Sequence, residues 1–186
     1  MPLKLNRVSF LIVDDNIHMR KLVRRVLRSM GVEDVAEAIN GAEAIGRMRD
    51  NIPDVLITDW VMEPFDGIEL TRYIRRSPES PNPYMPIIMM TGFAEREKVF
   101  QARDAGVTEF LVKPLSAAAL FSRIAAIIER PRQFVRVGNY FGPDRRRKKS
   151  DWRGDERRGP GPVKFDRPIT QEPMSQNEIN ELFNPK

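Results

Sequence analysis

The chain has 186 residues, with 31 Lys and Arg against 26 Asp and Glu, one histidine and no cysteine. That length suits one domain with an appendage, and the missing cysteine excludes disulfides, thiolate zinc sites and a cysteine nucleophile. No run of 18 or more apolar residues is present, and the N-terminal apolar run ends in acids rather than in a secretory cleavage pattern, so a cytoplasmic protein without membrane insertion is expected.

Taken in chain order, apolar runs at residues 8–13, 35–39, 55–58, 86–91 and 109–112 predict five short strands. Three of them are almost continuously apolar, as strands covered on both faces of a parallel sheet must be. Helical patterns lie between them. The clearest sets Met19, Leu22, Val23, Val26, Leu27 and Met30 on one face and ends at Gly31. The alternation predicts an α/β fold with a doubly wound five-stranded parallel sheet over residues 1–130. Beyond it, prolines, glycines and charges dominate. Basic and acidic residues balance at 18 each up to Arg130, so the net charge of +5 belongs to the remainder. Residues 131–173 read as a basic, Arg/Gly/Pro-rich and largely disordered tail, and residues 174–186 as a short amphipathic helix.

In an open α/β sheet, ligands bind beyond the carboxyl ends of the strands. There stand Asp14 and Asp15 after the first strand, Asp59 after the third, Thr91 at the end of the fourth, and Lys113 after the fifth. Each alone is as ordinary as a helix cap or a loop residue. Together they converge on one spot, where clustered carboxylates repel one another unless a cation holds them. An all-oxygen set with room for water suits Mg2+.

The segments "LIVDDN", "ITDWVMEPFDG", "IIMMTGFAE" and "EFLVKPL" resemble the receiver domain of bacterial response regulators, CheY-like members above all. The resemblance implies the flavodoxin-like strand order 2-1-3-4-5, with Asp59 accepting a phosphoryl group from a sensor histidine kinase or histidine phosphotransfer protein. It implies that Asp15, Asp59 and the carbonyl of Val61 hold Mg2+, with Asp14 supporting the ion through water. Lys113 and Thr91 would contact phosphoryl oxygens, and Phe110 would stand where the family's switch aromatic moves, a core role being its rival. Such a protein catalyses only its own phosphorylation and dephosphorylation. A haloacid-dehalogenase-like phosphatase would need an acid two residues after the nucleophile, where this chain has Val61. The tail has no amphipathic helix pair for a helix-turn-helix, so specific DNA binding is not expected.

The C-terminal segment carries Ser175 and Glu178 in capping-box spacing ahead of Ile179, Leu182 and Phe183. It resembles the N-terminal peptide by which the flagellar motor switch protein docks on CheY-like receivers, leaving docking on its own domain and on another CheY-like receiver both open. Within the basic segment, the pattern aromatic-x-Gly-x-acid-Arg-Arg occurs twice, as Tyr140, Gly142, Asp144, Arg145, Arg146 and as Trp152, Gly154, Glu156, Arg157, Arg158. Arginine can bond guanine O6 and N7, a carboxylate can accept from its N–H groups, and an aromatic ring can stack on it. The stretch is similar to the arginine-rich tails of CheY-like cyclic di-GMP effectors. The alternative is a phosphorelay intermediate or phosphate sink whose basic tail is a linker or a non-specific arm for nucleic acid or anionic surfaces.

Overall fold

A computed structural model describes residues 5–144 and 173–183. Its elements run β1 (Ser9–Val13), α1 (Ile17–Ser29), β2 (Asp34–Ala38), α2 (Gly41–Asp50), β3 (Val55–Asp59), α3 (Gly67–Arg76), β4 (Ile87–Thr91), α4 (Arg96–Ala105), β5 (Glu109–Val112) and α5 (Ala117–Glu129). A hairpin, β6 (Phe134–Val137) and β7 (Tyr140–Pro143), and a last helix, α6 (Gln176–Phe183), follow. The five parallel strands take the order β2-β1-β3-β4-β5, which is the flavodoxin-like receiver arrangement.

The period-two geometry of a strand sends alternate residues to opposite faces. Phe10 and Ile12 of β1, Ile57, Ile88 with Met90, and Leu111 enter one core layer, closed by Val23 and Leu27 of α1 and by Leu120, Ile124 and Ile127 of α5. Their neighbours Leu11, Val13, Leu56 and Ile87 enter the other, against Met48 of α2 and Leu70 and Ile74 of α3. That second layer continues across Met89 and Phe110 to Val99 and Ala102 of α4, and on to Ile179 and Phe183 of α6. Burial on both faces is why the strands read as unbroken apolar runs.

Local chemistry fixes the helix starts. The Asn16 side chain accepts the amides of His18 and Met19, and Asp66 with Glu69 forms a complete capping box at α3. By contrast α4 begins at Glu95 with no side-chain cap, and its C-terminus turns on Gly106 at φ 105°.

The hairpin is an element that the apolar pattern did not predict. Its two-residue turn is Gly138–Asn139, with Gly138 at φ 55°, and Val137 pairs with Tyr140 across it. Phe134 and Phe141 pack edge-on against Tyr84, their centroids 5.4 and 5.2 Å from its ring. Gly142 lies so close to Gly106 that an added Cβ would sit 3.0 Å from its Cα. The terminal helix covers Gln176–Phe183, within the 174–186 expected, and the predicted box is present: Ser175 Oγ accepts the Glu178 amide at 3.3 Å while Glu178 Oε2 accepts the Ser175 amide at 2.8 Å. No helix among the described residues is long and apolar enough to cross a membrane.

Candidate functional site

The parallel sheet brings its strand ends to one edge, and the loops that follow deliver the site. Asp14 and Asp15 leave β1, Asp59 ends β3, Thr91 ends β4 and Lys113 follows β5. Carboxylate oxygens of Asp14, Asp15 and Asp59 all lie within 4.8 Å of one another. Asp14 is fully buried and Asp59 nearly so, at 8% exposure, while Asp15 faces outward. The Lys113 ammonium bridges them, 3.0 Å from Asp59 Oδ1 and 3.3 Å from Asp14 Oδ2. The hydroxyl of buried Thr91 accepts the Phe93 amide at 3.0 Å, and its carbonyl accepts the Lys113 amide at 2.7 Å, tying β4 to the lysine loop.

Electrostatics follow from this geometry. Burial, aided by repulsion from Asp14, pushes the Asp59 carboxyl above its ordinary value even though Lys113 pulls the other way. Burial works against the Lys113 charge as well, but hydrogen bonds and attraction from Asp59 and Asp14 outweigh it and raise its pKa. Asp59 Oδ1 also accepts the Trp60 amide at 2.8 Å, whereas Oδ2 has no hydrogen bond among the described residues.

The donor set fits Mg2+: three carboxylates with one exposed member, all hard oxygen, and no nitrogen or sulfur ligand among the clustered groups. Val61 stands two residues beyond Asp59 in the loop before α3, and its side chain is exposed.

Three supporting residues escaped the sequence reading. Gly67 starts α3 against the Asp59 backbone, where a Cβ would collide with the Asp59 carbonyl oxygen. The signal was present in the Asp66–Gly67 pair of the quoted segment. Arg20 Nη1 donates to the carbonyls of Asp14 at 2.7 Å and Asp15 at 3.3 Å, fixing the acidic loop. Trp60 lies edge-on to Phe93 and Phe110, both centroids 6.4 Å away, and so joins the acid site to the α6 layer.

The second predicted site is only partly placed. Tyr140 lies in β7 and donates its hydroxyl to the Pro143 carbonyl at 2.7 Å, and the Asp144 amide donates to Gln133 at 2.8 Å. Arg145, Arg146, Trp152, Glu156, Arg157 and Arg158 lie outside the described residues.

A family model described as the response regulator receiver domain matches residues 10–125. Chemotaxis protein CheY-3 of Vibrio cholerae is 37% identical over 123 residues, covering 66% of this chain and 93% of that protein. Chemotaxis protein CheY of Pseudomonas aeruginosa is 36% identical over 123 residues, covering 66% and 98%. Among solved structures, Vibrio cholerae CheY4 is similar with a TM-score of 0.60 and 30% identity, covering 64% of this chain and 98% of that one. The family match stops at residue 125, so the hairpin and α6 lie beyond it.

Proposed function

Because the chain belongs to the response regulator receiver domain family, we propose that it accepts a phosphoryl group on Asp59 and signals by binding other proteins, chemotaxis or flagellar motor components among them. The donor is the phosphohistidine of a sensor histidine kinase or a histidine phosphotransfer protein. The observation that carries this reading is Lys113, whose ammonium holds Asp14 and Asp59 together at the strand ends and is already positioned for an incoming anion.

In the transfer, Asp59 Oδ2 attacks phosphorus, the P–N bond breaks, and its electron pair stays on the donor imidazole. Lys113 neutralises charge on the equatorial oxygens, and the Thr91 hydroxyl donates to one of them. Asp15, Asp59 and the Val61 carbonyl would hold Mg2+, with Asp14 supporting it through water, and the ion would supply further charge neutralisation. Acetyl phosphate with Mg2+ should label Asp59, and Asp59→Ala should abolish the label. Stoichiometric labelling of that variant sinks the assignment.

The output surface in this reading is the outer edge of β5 with its neighbour α4, which α6 occupies in cis. Gln176 meets the edge through its side chain: its Oε1 accepts the Val112 amide at 2.7 Å and its Nε2 donates to the Phe110 carbonyl at 3.2 Å. Phe183 stacks on Phe110 with centroids 5.8 Å apart and planes 16° apart. A motor switch protein or a second receiver reaches this surface by displacing α6 or by exchanging it.

The doubled motif from Tyr140 to Arg158 gives the reading its finer part, tuning by cyclic di-GMP. Calorimetry on the whole chain should find micromolar or tighter binding at physiological salt that is lost in Arg146→Ala with Arg158→Ala. Equal binding of random single-stranded DNA, falling steeply with salt, would favour the plain basic arm instead.

A further inference from the structure

The hairpin and the last turn of α3 enclose an open cleft of about 320 Å3 lined by Arg75, Arg76, Arg136 and the turn residues Gly138, Asn139 and Tyr140. No carboxylate lines it. Three guanidiniums thus share one hollow, and none is paired with an acid among the described residues. Arg75 is the unusual member, being 2% exposed. Its Nε donates to the Gly106 carbonyl at 3.0 Å and its Nη1 to the Pro83 carbonyl at 2.9 Å, while its Nη2 has no hydrogen-bond partner. The guanidinium carbon also lies 5.0 Å over the Phe134 ring. Burial pulls its pKa down to about 9, which still leaves it charged at neutral pH.

Two carbonyl bonds explain why a donor stands at this position. They do not explain a buried charge without a counter-ion beside two further cations, an arrangement costly by several kcal/mol for the buried ion alone. Arg136 lies 4.9 Å over Phe141, which holds its planar group at the cleft, and both Arg136 and Arg76 are exposed and free to donate. A carboxylate carries one charge and satisfies one fork. Two exposed forks beside a third, buried positive charge match an anion with two or more charges and several acceptor oxygens, which is the chemistry of phosphate. The volume exceeds what a bare phosphate fills and leaves space for a small esterifying group next to the Asn139 amide.

We propose that the cleft between α3 and the β6–β7 hairpin is a binding site for a phosphate ester, held by Arg76 and Arg136 over the buried charge of Arg75. Its occupant compensates that charge and clamps the hairpin to α3. The site uses none of the acid-site residues and needs no metal.

The test is calorimetry on the full chain in EDTA, which keeps the Asp59 site out of the measurement, with pyrophosphate and GMP as soluble probes. Phosphatidylglycerol vesicles are titrated in parallel against phosphatidylcholine vesicles. Arg76→Gln with Arg136→Gln should weaken binding at least about tenfold, as loss of charge-assisted bonds requires. Both substitutions are at exposed positions, and an unchanged thermal unfolding curve would verify that the variant folds. In nuclear magnetic resonance spectra the amides of Gly138 and Asn139 should shift on saturation. Binding of a soluble probe, lost in the variant, supports a free phosphate ester. Binding of phosphatidylglycerol vesicles alone, lost in the variant, supports the same site with a lipid headgroup as the source. No binding by any probe, or binding undiminished in the variant, overturns the proposal, because the basic run from Arg145 onward would then be the only anion-binding feature needed.

Discussion

In the proposed reading, two side chains beside the acid site are expected to set how long a phosphoryl group lasts. Val61 and Phe93 stand two residues beyond Asp59 and Thr91, and both are exposed, at 53% and 39%. An apolar group there can neither donate to nor accept from a water approaching the acyl phosphate. Val61→Asn with Phe93→Glu should therefore speed dephosphorylation on the order of tenfold, measured by loss of label after the donor is removed. An unaltered rate would show that these positions do not set the lifetime. Gly67 has a structural counterpart of this effect: an added Cβ strikes the Asp59 carbonyl oxygen, backbone that cannot move without dragging the nucleophile. Gly67→Ala should lower unfolding stability by about 3 kcal/mol, read from the urea midpoint, with labelling reduced in the fraction that folds. At this scale the sequence marked which groups the fold brings together. Asp14, Asp15, Asp59, Thr91 and Lys113 each end or follow a strand, and strands are readable from apolar runs. Gly67 and Arg20 act on backbone that only the folded chain brings near, so the Asp66–Gly67 pair marks a helix start without showing what the glycine meets, and nothing local marks Arg20.

Among the elements, the outcome divides between start signals and destinations. The capping box of Ser175 and Glu178 announced α6, yet where it docks depends on Gln176 meeting Val112, a contact 64 residues away in sequence. The hairpin was missed because its strands are only four residues each and stand in a segment dominated by prolines, glycines and charges, although Gly138–Asn139 is a recognised two-residue hairpin signal. Covering β5 matters because an edge strand otherwise presents unpaired amides and carbonyls. Gln176→Ala should cost about 1 kcal/mol and raise exchange at the Val112 amide, checked by hydrogen exchange. The cap adds a pH dependence. Hydrogen bonds from the Ser175 amide and hydroxyl hold the Glu178 carboxyl below its ordinary 4.5, so its contribution is complete above that value and disappears as pH falls through the lower folded pKa. Protection of α6 amides should decline in acid over that window, and Glu178→Gln should flatten the decline.

Across the whole molecule, the acid site and α6 are joined by four consecutive neighbours. Asp59 anchors on the Trp60 amide, Trp60 meets Phe110 edge-on, and Phe110 stacks on Phe183. Docking of α6 buries Ile179 and Phe183 and is opposed by the conformational entropy lost in ordering the helix. A coupling of 1–3 kcal/mol, the usual range between two linked sites, is enough to shift it about 5- to 150-fold. Phosphorylation can bias α6 only if the phosphorylated receiver holds it with a different affinity, and Phe110 is the side chain that meets both Trp60 and Phe183. Trp60 reports on this directly, since Trp152 is the only other tryptophan. In a Trp152→Phe background, Mg2+ with beryllofluoride as a phosphoryl mimic should change Trp60 emission and speed hydrogen exchange at Ile179 by a factor in that range. Asp59→Asn should show neither response, and Phe183→Ala should show fast exchange with or without the mimic. If Ile179 keeps its full protection while the mimic is bound at Asp59, the aromatic contacts transmit nothing, and α6 is a fixed cover on β5 rather than a displaceable one.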